Sequence, residues 1–185
     1  MPEIYNPGED SYLMSETLEK ELPELIKRSQ RLKFLEIGSG SGIQLETALN
    51  LGIKKENLFG CDINLEAVRH CKSKGFNCVY SDLFSNVKGK FDVIVFNPPY
   101  LPLDEREPKD SMIATTGGKK GNEVIVKFLK QAKDFLDDDG KIFVITSSLS
   151  EDIDFRRLGY AHKKLGLKKL FFEELVIWKL EFKKI

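Results

Sequence analysis

"LEIGSGSG", residues 35–42, runs from an apolar strand-like segment straight into a glycine-rich turn. Gly38, Gly40 and Gly42 permit a tight strand-to-helix turn and let a ligand approach the backbone closely. The spacing excludes one reading of that turn. A dinucleotide fingerprint G-x-G-x-x-G starting at Gly38 needs glycine at 43, and Ile43 stands there. The segment from Ile43 to Leu51 has helical apolar spacing, so a strand, a glycine turn and a helix open the fold as the first half of a βαβ unit.

Working outward, the pattern repeats. "KFLEI" (33–37), "LFGCDI" (58–63), "NCVY" (77–80), "FDVIVF" (91–96) and "KIFVITS" (141–147) are short, rich in β-branched or aromatic residues and bounded by Gly, Asp or Pro. Helical patterns separate them: Leu65 to Lys74 with Asn64 as N-cap, and Asn122 to Leu136 with Val124, Phe128, Leu129, Ala132 and Phe135 on one face. Such alternation predicts right-handed βαβ units and a mainly parallel sheet covered on both faces. After an acidic turn-helix at 150–158, the tail "LGLKKLFFEELVIWKLEF" holds two strand-like runs split at Glu173 and Glu174. They lie too close together for a crossover helix, so an antiparallel hairpin is expected at a sheet edge. One domain over residues 1–185 is the expected organisation, with 1–30 as a covering segment and helix and 31–185 as a Rossmann-like core.

Composition narrows the function. Lys plus Arg equals Asp plus Glu at 29 each, which gives no global electrostatic case for nucleic-acid binding. Lys163, Lys164, Lys168, Lys169, Lys179, Lys183 and Lys184 alternate with apolar residues and read as the solvated face of a sheet. No apolar stretch approaches the ~20 residues of a membrane span, and "MPEIYNPGEDSYL" is unlike a signal peptide, so a cytoplasmic location is expected. Cys61, Cys71 and Cys78 form no C-x-x-C, and neither a disulfide framework nor a metal site is indicated.

In open α/β sheets ligands bind at the C-terminal strand ends. The second strand ends in Asp62, 24 residues after Gly38, where a carboxylate can accept both hydroxyls of a ribose. The third ends in "SDLF", where Asp82 can accept from an adenine amino group while Leu83 packs on its ring. The glycine turn and these residues describe an adenosine pocket without a pyrophosphate cradle.

With those residues in hand, the chain resembles the class I S-adenosylmethionine-dependent methyltransferases. More narrowly it is similar to the HemK-type glutamine methyltransferases of the archaeal and eukaryotic branch, which act on class-1 translation release factors. The likeness is carried by "YNPGEDSYLM" (5–14), "LEIGSGSG" (35–42), "CDIN" (61–64), "SDL" (81–83), "FNPPY" (96–100), "GGKKGNEV" (117–124) and "ELVIWKLEF" (174–182). The resemblance implies an open seven-stranded sheet of order 3-2-1-4-5-7-6 with strand 7 antiparallel. It implies that Ser11, Glu36 and Gly38 hold the methionine end of S-adenosylmethionine, and that Asp62 takes the ribose. Asp82 and Leu83 would take the adenine, with Gly40 and Asn97 completing the cofactor set. Asn97, Pro98, Pro99 and Tyr100 would hold the amide to be methylated. Ser11 stands where close relatives often have threonine, which keeps the hydroxyl. Enzymes of the bacterial branch carry an extra N-terminal helical domain, whereas about ten residues are expected before the first helix in this sequence.

"NPPY" has a chemical reading of its own. An amide nitrogen is a poor nucleophile because its lone pair is delocalised, and two acceptors on its two N–H groups redirect that pair toward a methyl donor. Asn97 Oδ1 and the Pro98 carbonyl can be those acceptors, with Pro98 and Pro99 fixing φ and Tyr100 walling the flat amide. An adenine or guanine amino group is planar and conjugated in the same way, so a nucleic-acid methyltransferase is the main alternative, with a protein lysine methyltransferase beside it; a chain this short has little room for a base-flipping apparatus. A scaffold without catalysis is a third reading.

Two further segments carry expectations. Residues 101–121 hold few apolar side chains and end in three glycines, which predicts a mobile loop that orders on substrate. The third strand, residues 77–80, is an edge in the implied order, with apolar Phe76, Cys78 and Tyr80 and no guarding charge or proline. The resemblance implies a small zinc-binding activator subunit docking there as a heterodimer partner, the zinc belonging to that subunit.

Overall fold

The computed structural model describes residues 4–182 except 105, 107 and 109–111 and 113. Its elements in chain order are α1 (Glu9–Arg28), β1 (Phe34–Ile37), α2 (Ile43–Asn50), β2 (Leu58–Asp62), α3 (Leu65–Ser73), β3 (Asn77–Tyr80), β4 (Phe91–Phe96), α4 (Glu123–Phe135), β5 (Leu136–Ser147), β6 (Tyr160–Lys169) and β7 (Glu174–Phe182). Seven strands form one sheet in the order β3-β2-β1-β4-β5-β7-β6, the expected topology. Strands β1 to β5 are parallel, and β7 is antiparallel to both β5 and β6.

Both faces of the sheet are dry because its central strands are predominantly apolar and their side chains alternate between the faces. Phe34 of β1, Val93 and Val95 of β4, and Phe143 and Ile145 of β5 face α1, α2 and α3, whose Leu18, Leu22, Leu45, Ala48 and Val68 complete that core. Leu35 and Ile37, Ile94 and Phe96, and Ile142 and Val144 face the other way, onto Phe128, Leu129 and Ala132 of α4. Each fully buried side chain of this kind is worth about 1.5–3 kcal/mol. Tyr160 is buried too, and its hydroxyl donates to the Leu129 carbonyl at 2.7 Å.

Departures from expectation have local causes. Strand β5 begins at Leu136, five residues before the apolar run, because Leu136 pairs with Phe91 across a bulge while Asp137, Asp138 and Asp139 point to solvent. An acidic triplet hides that start from a hydropathy reading. The buried face of α4 is Ile125, Phe128, Leu129 and Ala132, and Val124 turns toward the strand ends instead. Residues 150–158 form turns rather than a helix, with Phe155 in the core and Gly159 at φ +89°. The hairpin is longer than its apolar run, β6 starting at Tyr160.

That hairpin holds α1 in place. Lys168 bonds Glu9, Lys179 reaches Glu21 at 2.6 Å, and a Cβ on Gly166 would lie 3.0 Å from Thr17 Oγ1. Two of the lysines that read as solvated are therefore helix contacts, and α1 starts over the C-terminal rim of the sheet.

Candidate active site

A cavity of about 350 Å³ opens at the C-terminal ends of β1 to β4, within the range of small-molecule sites. Its floor is the turn after β1. Gly40 sits at φ +46°, a left-handed conformation that an L side chain resists, and its N–H donates to Asp62 Oδ2 at 2.8 Å. Gly42 caps α2 in the same region, and a Cβ there would come within 3.1 Å of Cys71 Sγ.

The acidic residues of this half are already engaged. Asp62 also receives the Asn64 N–H on Oδ1 at 2.7 Å, so one carboxylate ties the glycine turn, the end of β2 and the start of α3 together. Glu36, 4% exposed, accepts the Leu45 N–H at 3.2 Å. Burial pushes both carboxyls above the usual range, Glu36 most strongly, with the nearby Cys71 thiol adding to it. Asp82 is exposed, and its Oδ2 is held by Lys127 of α4 at 2.8 Å. Leu83 lines the cavity at φ +50° and is the one non-glycine residue with positive φ among the described residues. Such a conformation costs on the order of 1–3 kcal/mol. Its carbonyl takes the Ser81 hydroxyl at 2.8 Å and the Cys61 thiol at 3.3 Å, which pin the strained residue.

The other half is built on Asp10, which the sequence reading quoted within a motif and gave no role. Asp10 is 5% exposed and collects donors from three segments. Oδ1 accepts the Ser11 N–H at 2.6 Å and Oγ at 3.2 Å; Oδ2 accepts Asn97 Nδ2 at 3.0 Å and the Tyr100 hydroxyl at 3.4 Å; the Tyr5 hydroxyl reaches both oxygens at 3.2 Å. Burial, reinforced by the Asp10 charge, raises Tyr5 and Tyr100 well above ordinary phenol, which keeps them as donors. A carboxylate can only accept, so Asn97 must turn its NH2 to Asp10 and its carbonyl oxygen away. Asn97 Oδ1 is buried and has no hydrogen-bond partner. An orphaned buried acceptor costs about 1–3 kcal/mol, and here Asn97, Pro98 and Pro99 line the cavity. Tyr100 stands behind Asn97, bonded to Asp10, and is not among the lining residues.

Ser11, Glu36, Gly38, Gly40, Asp62, Asp82, Leu83 and Asn97 all line this one cavity. Gln44 joins them without having been singled out. Its Nε2 donates to the Ser11 carbonyl at 2.9 Å and its Oε1 accepts from Ser15 at 3.0 Å, clamping α1 to α2. A glutamine on a helix carries no sequence signal of that kind.

Part of the segment expected to be mobile is pinned. Leu101 N–H donates to Thr115 and its carbonyl accepts from Gly117, while Leu103 N–H donates to Gly118. A Cβ on Gly117 would lie 2.6 Å from the Pro99 carbonyl, and one on Gly121 would lie 2.5 Å from that of Tyr100. Those glycines serve close backbone packing under "NPPY". Residues 105, 107, 109–111 and 113 of the expected loop lie outside the described residues. Among the described residues no helix is long and apolar enough to cross a membrane, and no group of three or more His, Cys, Asp or Glu could hold a metal ion.

Residues 10–155 match the family model of the methyltransferase small domain. A protein of Methanocaldococcus jannaschii named for protein N5-glutamine methyltransferase activity is 37% identical over 97% of this chain and 93% of its own length. The catalytic subunit mtq2 of the eRF1 methyltransferase of Schizosaccharomyces pombe is 32% identical over 77% of this chain and 72% of its own. Among solved structures, the E. cuniculi Mtq2-Trm112 complex, responsible for methylation of the eRF1 translation termination factor, superposes with a TM-score of 0.71. It is 26% identical and covers 99% of this chain and 100% of that one.

Proposed function

The chain belongs to the methyltransferase small domain family, and from that premise we propose that it methylates the side-chain amide nitrogen of the glutamine in the Gly-Gly-Gln loop of a class-1 translation release factor. The methyl donor is S-adenosylmethionine. One observation carries the choice of acceptor. Asn97 lines the cavity, Asp10 sets its orientation, and its Oδ1 is a buried acceptor with no hydrogen-bond partner, which suits a planar NH2 group.

The residues present fit the donor. Left-handed Gly38 and Gly40 leave the turn bare, Asp62 lines the cavity at the end of β2 where a carboxylate would accept ribose hydroxyls, and Leu83 offers an apolar face beside Asp82. When bound, S-adenosylmethionine supplies an electrophilic methyl on a positively charged sulfur. The chain supplies position. Asn97 Oδ1 takes one N–H of the acceptor amide and the Pro98 carbonyl takes the other, which fixes the amide plane so that the nitrogen lone pair, perpendicular to it, is aimed at the methyl. Pro98 and Pro99 keep that geometry rigid. Alignment of this kind is worth up to about 7–11 kcal/mol for well-placed reactants. The nucleophile arrives neutral, so its proton can leave to solvent after transfer, and no side chain has to act as a strong base.

The test is label transfer from S-adenosylmethionine to an intact release factor, with single-stranded DNA, duplex DNA and tRNA alongside. Label on the Gly-Gly-Gln glutamine, lost when that glutamine is replaced, supports the reading. Label on a nucleic-acid amino group or on lysine overturns it.

A small partner subunit belongs to the same proposal, with a zinc ion in the partner, and so does the cytoplasm as the place of action. The E. cuniculi relative is a complex with Trm112. Here β3 is one of the two edge strands of the sheet. Ser81 N–H donates inward to the Asp62 carbonyl, so by alternation Cys78 and Tyr80 present their backbone groups outward. Tyr80, Ile63 and Leu65 expose 52%, 49% and 46% of their surface around that corner. Tyr80→Glu should weaken partner binding about tenfold or more with cofactor binding retained; undiminished co-purification would move the contact elsewhere.

A further inference from the structure

The turn between β6 and β7 is Leu170-Phe171-Phe172-Glu173, closed by the Leu170 N–H on the Glu173 carbonyl at 2.7 Å. Exposed turns are mostly built from Gly, Pro, Asn, Asp and Ser, although neither central residue of this one is left-handed and the backbone makes no demand for glycine. Two phenylalanines stand here instead, 91% and 82% exposed, edge to face with ring centroids 4.5 Å apart. Neither belongs to the core on either face of the sheet. The backbone does not call for them and the core does not hold them, and two adjacent exposed aromatic rings mark a contact surface.

The position of the tip says what it contacts. Leu175 of β7 pairs with Ser147 at the end of β5, so the tip projects at the C-terminal rim of the parallel strands, where the cavity opens. Ser147 Oγ donates to Glu173 Oε1 at 2.5 Å, and the Glu173 charge is felt by Tyr5 and Tyr100, the two phenols that bond Asp10. The tip therefore continues the Asp10–Asn97 side of the mouth, away from the edge strand β3 at the other end of the sheet. Aromatic faces can stack a base or cover a polypeptide, and the charges decide between them. A nucleic-acid strand needs uncommitted cations for its phosphates. Lys164 and Lys169 both lie beside Glu174, at 3.7 and 3.8 Å, and Lys168 is paired with Glu9. What the tip offers is apolar surface with its neighbouring lysines balanced.

We propose that Phe171 and Phe172 form a docking surface for the protein that carries the acceptor glutamine, packing on that protein's apolar surface beside the loop that enters the site. The inference rests on the acceptor reading above. It concerns the body of the substrate protein, not the amide in the cavity.

The experiment compares Phe171→Ser/Phe172→Ser with wild type, in whatever assembly the wild-type chain is active, on two acceptors: the intact release factor and a short peptide spanning only its Gly-Gly-Gln loop. The expected result is a loss of about tenfold or more in kcat/KM for the intact protein, carried by KM. Turnover of the peptide and calorimetric affinity for S-adenosylmethionine should be unchanged, and Phe171→Leu/Phe172→Leu should recover part of the loss. An unchanged KM for the intact protein overturns the proposal. So does an equal loss on the peptide, which would put the tip in the reaction site itself. Loss of binding to single-stranded RNA with the protein KM intact would overturn it in favour of a base-stacking surface. A wild-type enzyme that methylates no glutamine acceptor overturns the functional reading instead, and that result is visible before any variant is made.

Discussion

The two halves of the cavity solve opposite problems. On the cofactor half Glu36 and Asp62 already accept backbone N–H groups from Leu45, Gly40 and Asn64, and a strained Leu83 is pinned through its carbonyl. On the acceptor half Asp10 is crowded with donors while Asn97 Oδ1, next to it, has none. One half is rigid through satisfied bonds, and the other is rigid so that a single bond stays open. On the function proposed above, the groups already matched within the fold hold the ligand in place, whereas the buried unmatched acceptor gains its partner only when the reacting group arrives.

The comparison breaks most sharply at Asn97. Asn97→Ala should lower kcat by about a hundredfold to a thousandfold with calorimetric affinity for S-adenosylmethionine nearly intact. Substantial remaining turnover would show that the open acceptor is not the orienting group.

Asp10 tests how that group is held. In Asp10→Asn the new amide can offer its own NH2 to Asn97, whose side chain can then flip and turn its NH2 to the cavity. A fall in kcat of about a hundredfold is expected from misalignment alone, with thermal stability and cofactor affinity little changed. If cofactor affinity falls as far as kcat, the two halves are not separable at α1.

Asp62→Asn should do the reverse, weakening the binding free energy of S-adenosylmethionine by about 1.5–3 kcal/mol, the range for a hydrogen bond to a charged group. At saturating cofactor kcat should stay close to wild type. An unchanged dissociation constant would remove Asp62 from the ribose.

The smallest effect concerns Glu36 and pH. Burial raises its folded-state pKa above the ordinary 4.5, so the folded chain holds a proton that the unfolded chain releases. Its contribution to stability is fully present below that unfolded value and is lost as pH rises toward the folded pKa. Glu36→Gln keeps an acceptor for Leu45 N–H and cannot ionise. Melting curves without cofactor should show the variant gaining on wild type from acid toward neutral pH, and parallel curves would contradict a raised pKa.

Much of this molecule was legible before its structure. Strands such as "FDVIVF" stood out because both faces of a parallel sheet are buried, which makes their runs nearly continuous in apolar residues, and Asp62 stood out because a carboxylate ending such a strand beside a glycine turn has few other uses. The same logic fails where polar residues build a strand. Asp137–Asp139 in β5 lie outside any apolar run, and only the pairing of Leu136 with Phe91 shows them to be sheet. The lysines of β6 and β7, read as the solvated face of a sheet, are in strands, but Lys168 and Lys179 are turned onto α1.

By itself the sequence determined the alternation of strands and helices, the antiparallel hairpin, the glycine turn and the identity of the groups at four strand ends, because each is a local pattern set by periodicity or backbone conformation. Only the tertiary structure decided what Asp10 does. Its partners Asn97 and Tyr100 lie 87 and 90 residues away. Hydrogen-bond partnership over that separation is a matter of which faces meet when α1 packs across the sheet, and no local spacing encodes it. The same packing left Asn97 Oδ1 open and brought a pair of phenylalanines to the rim.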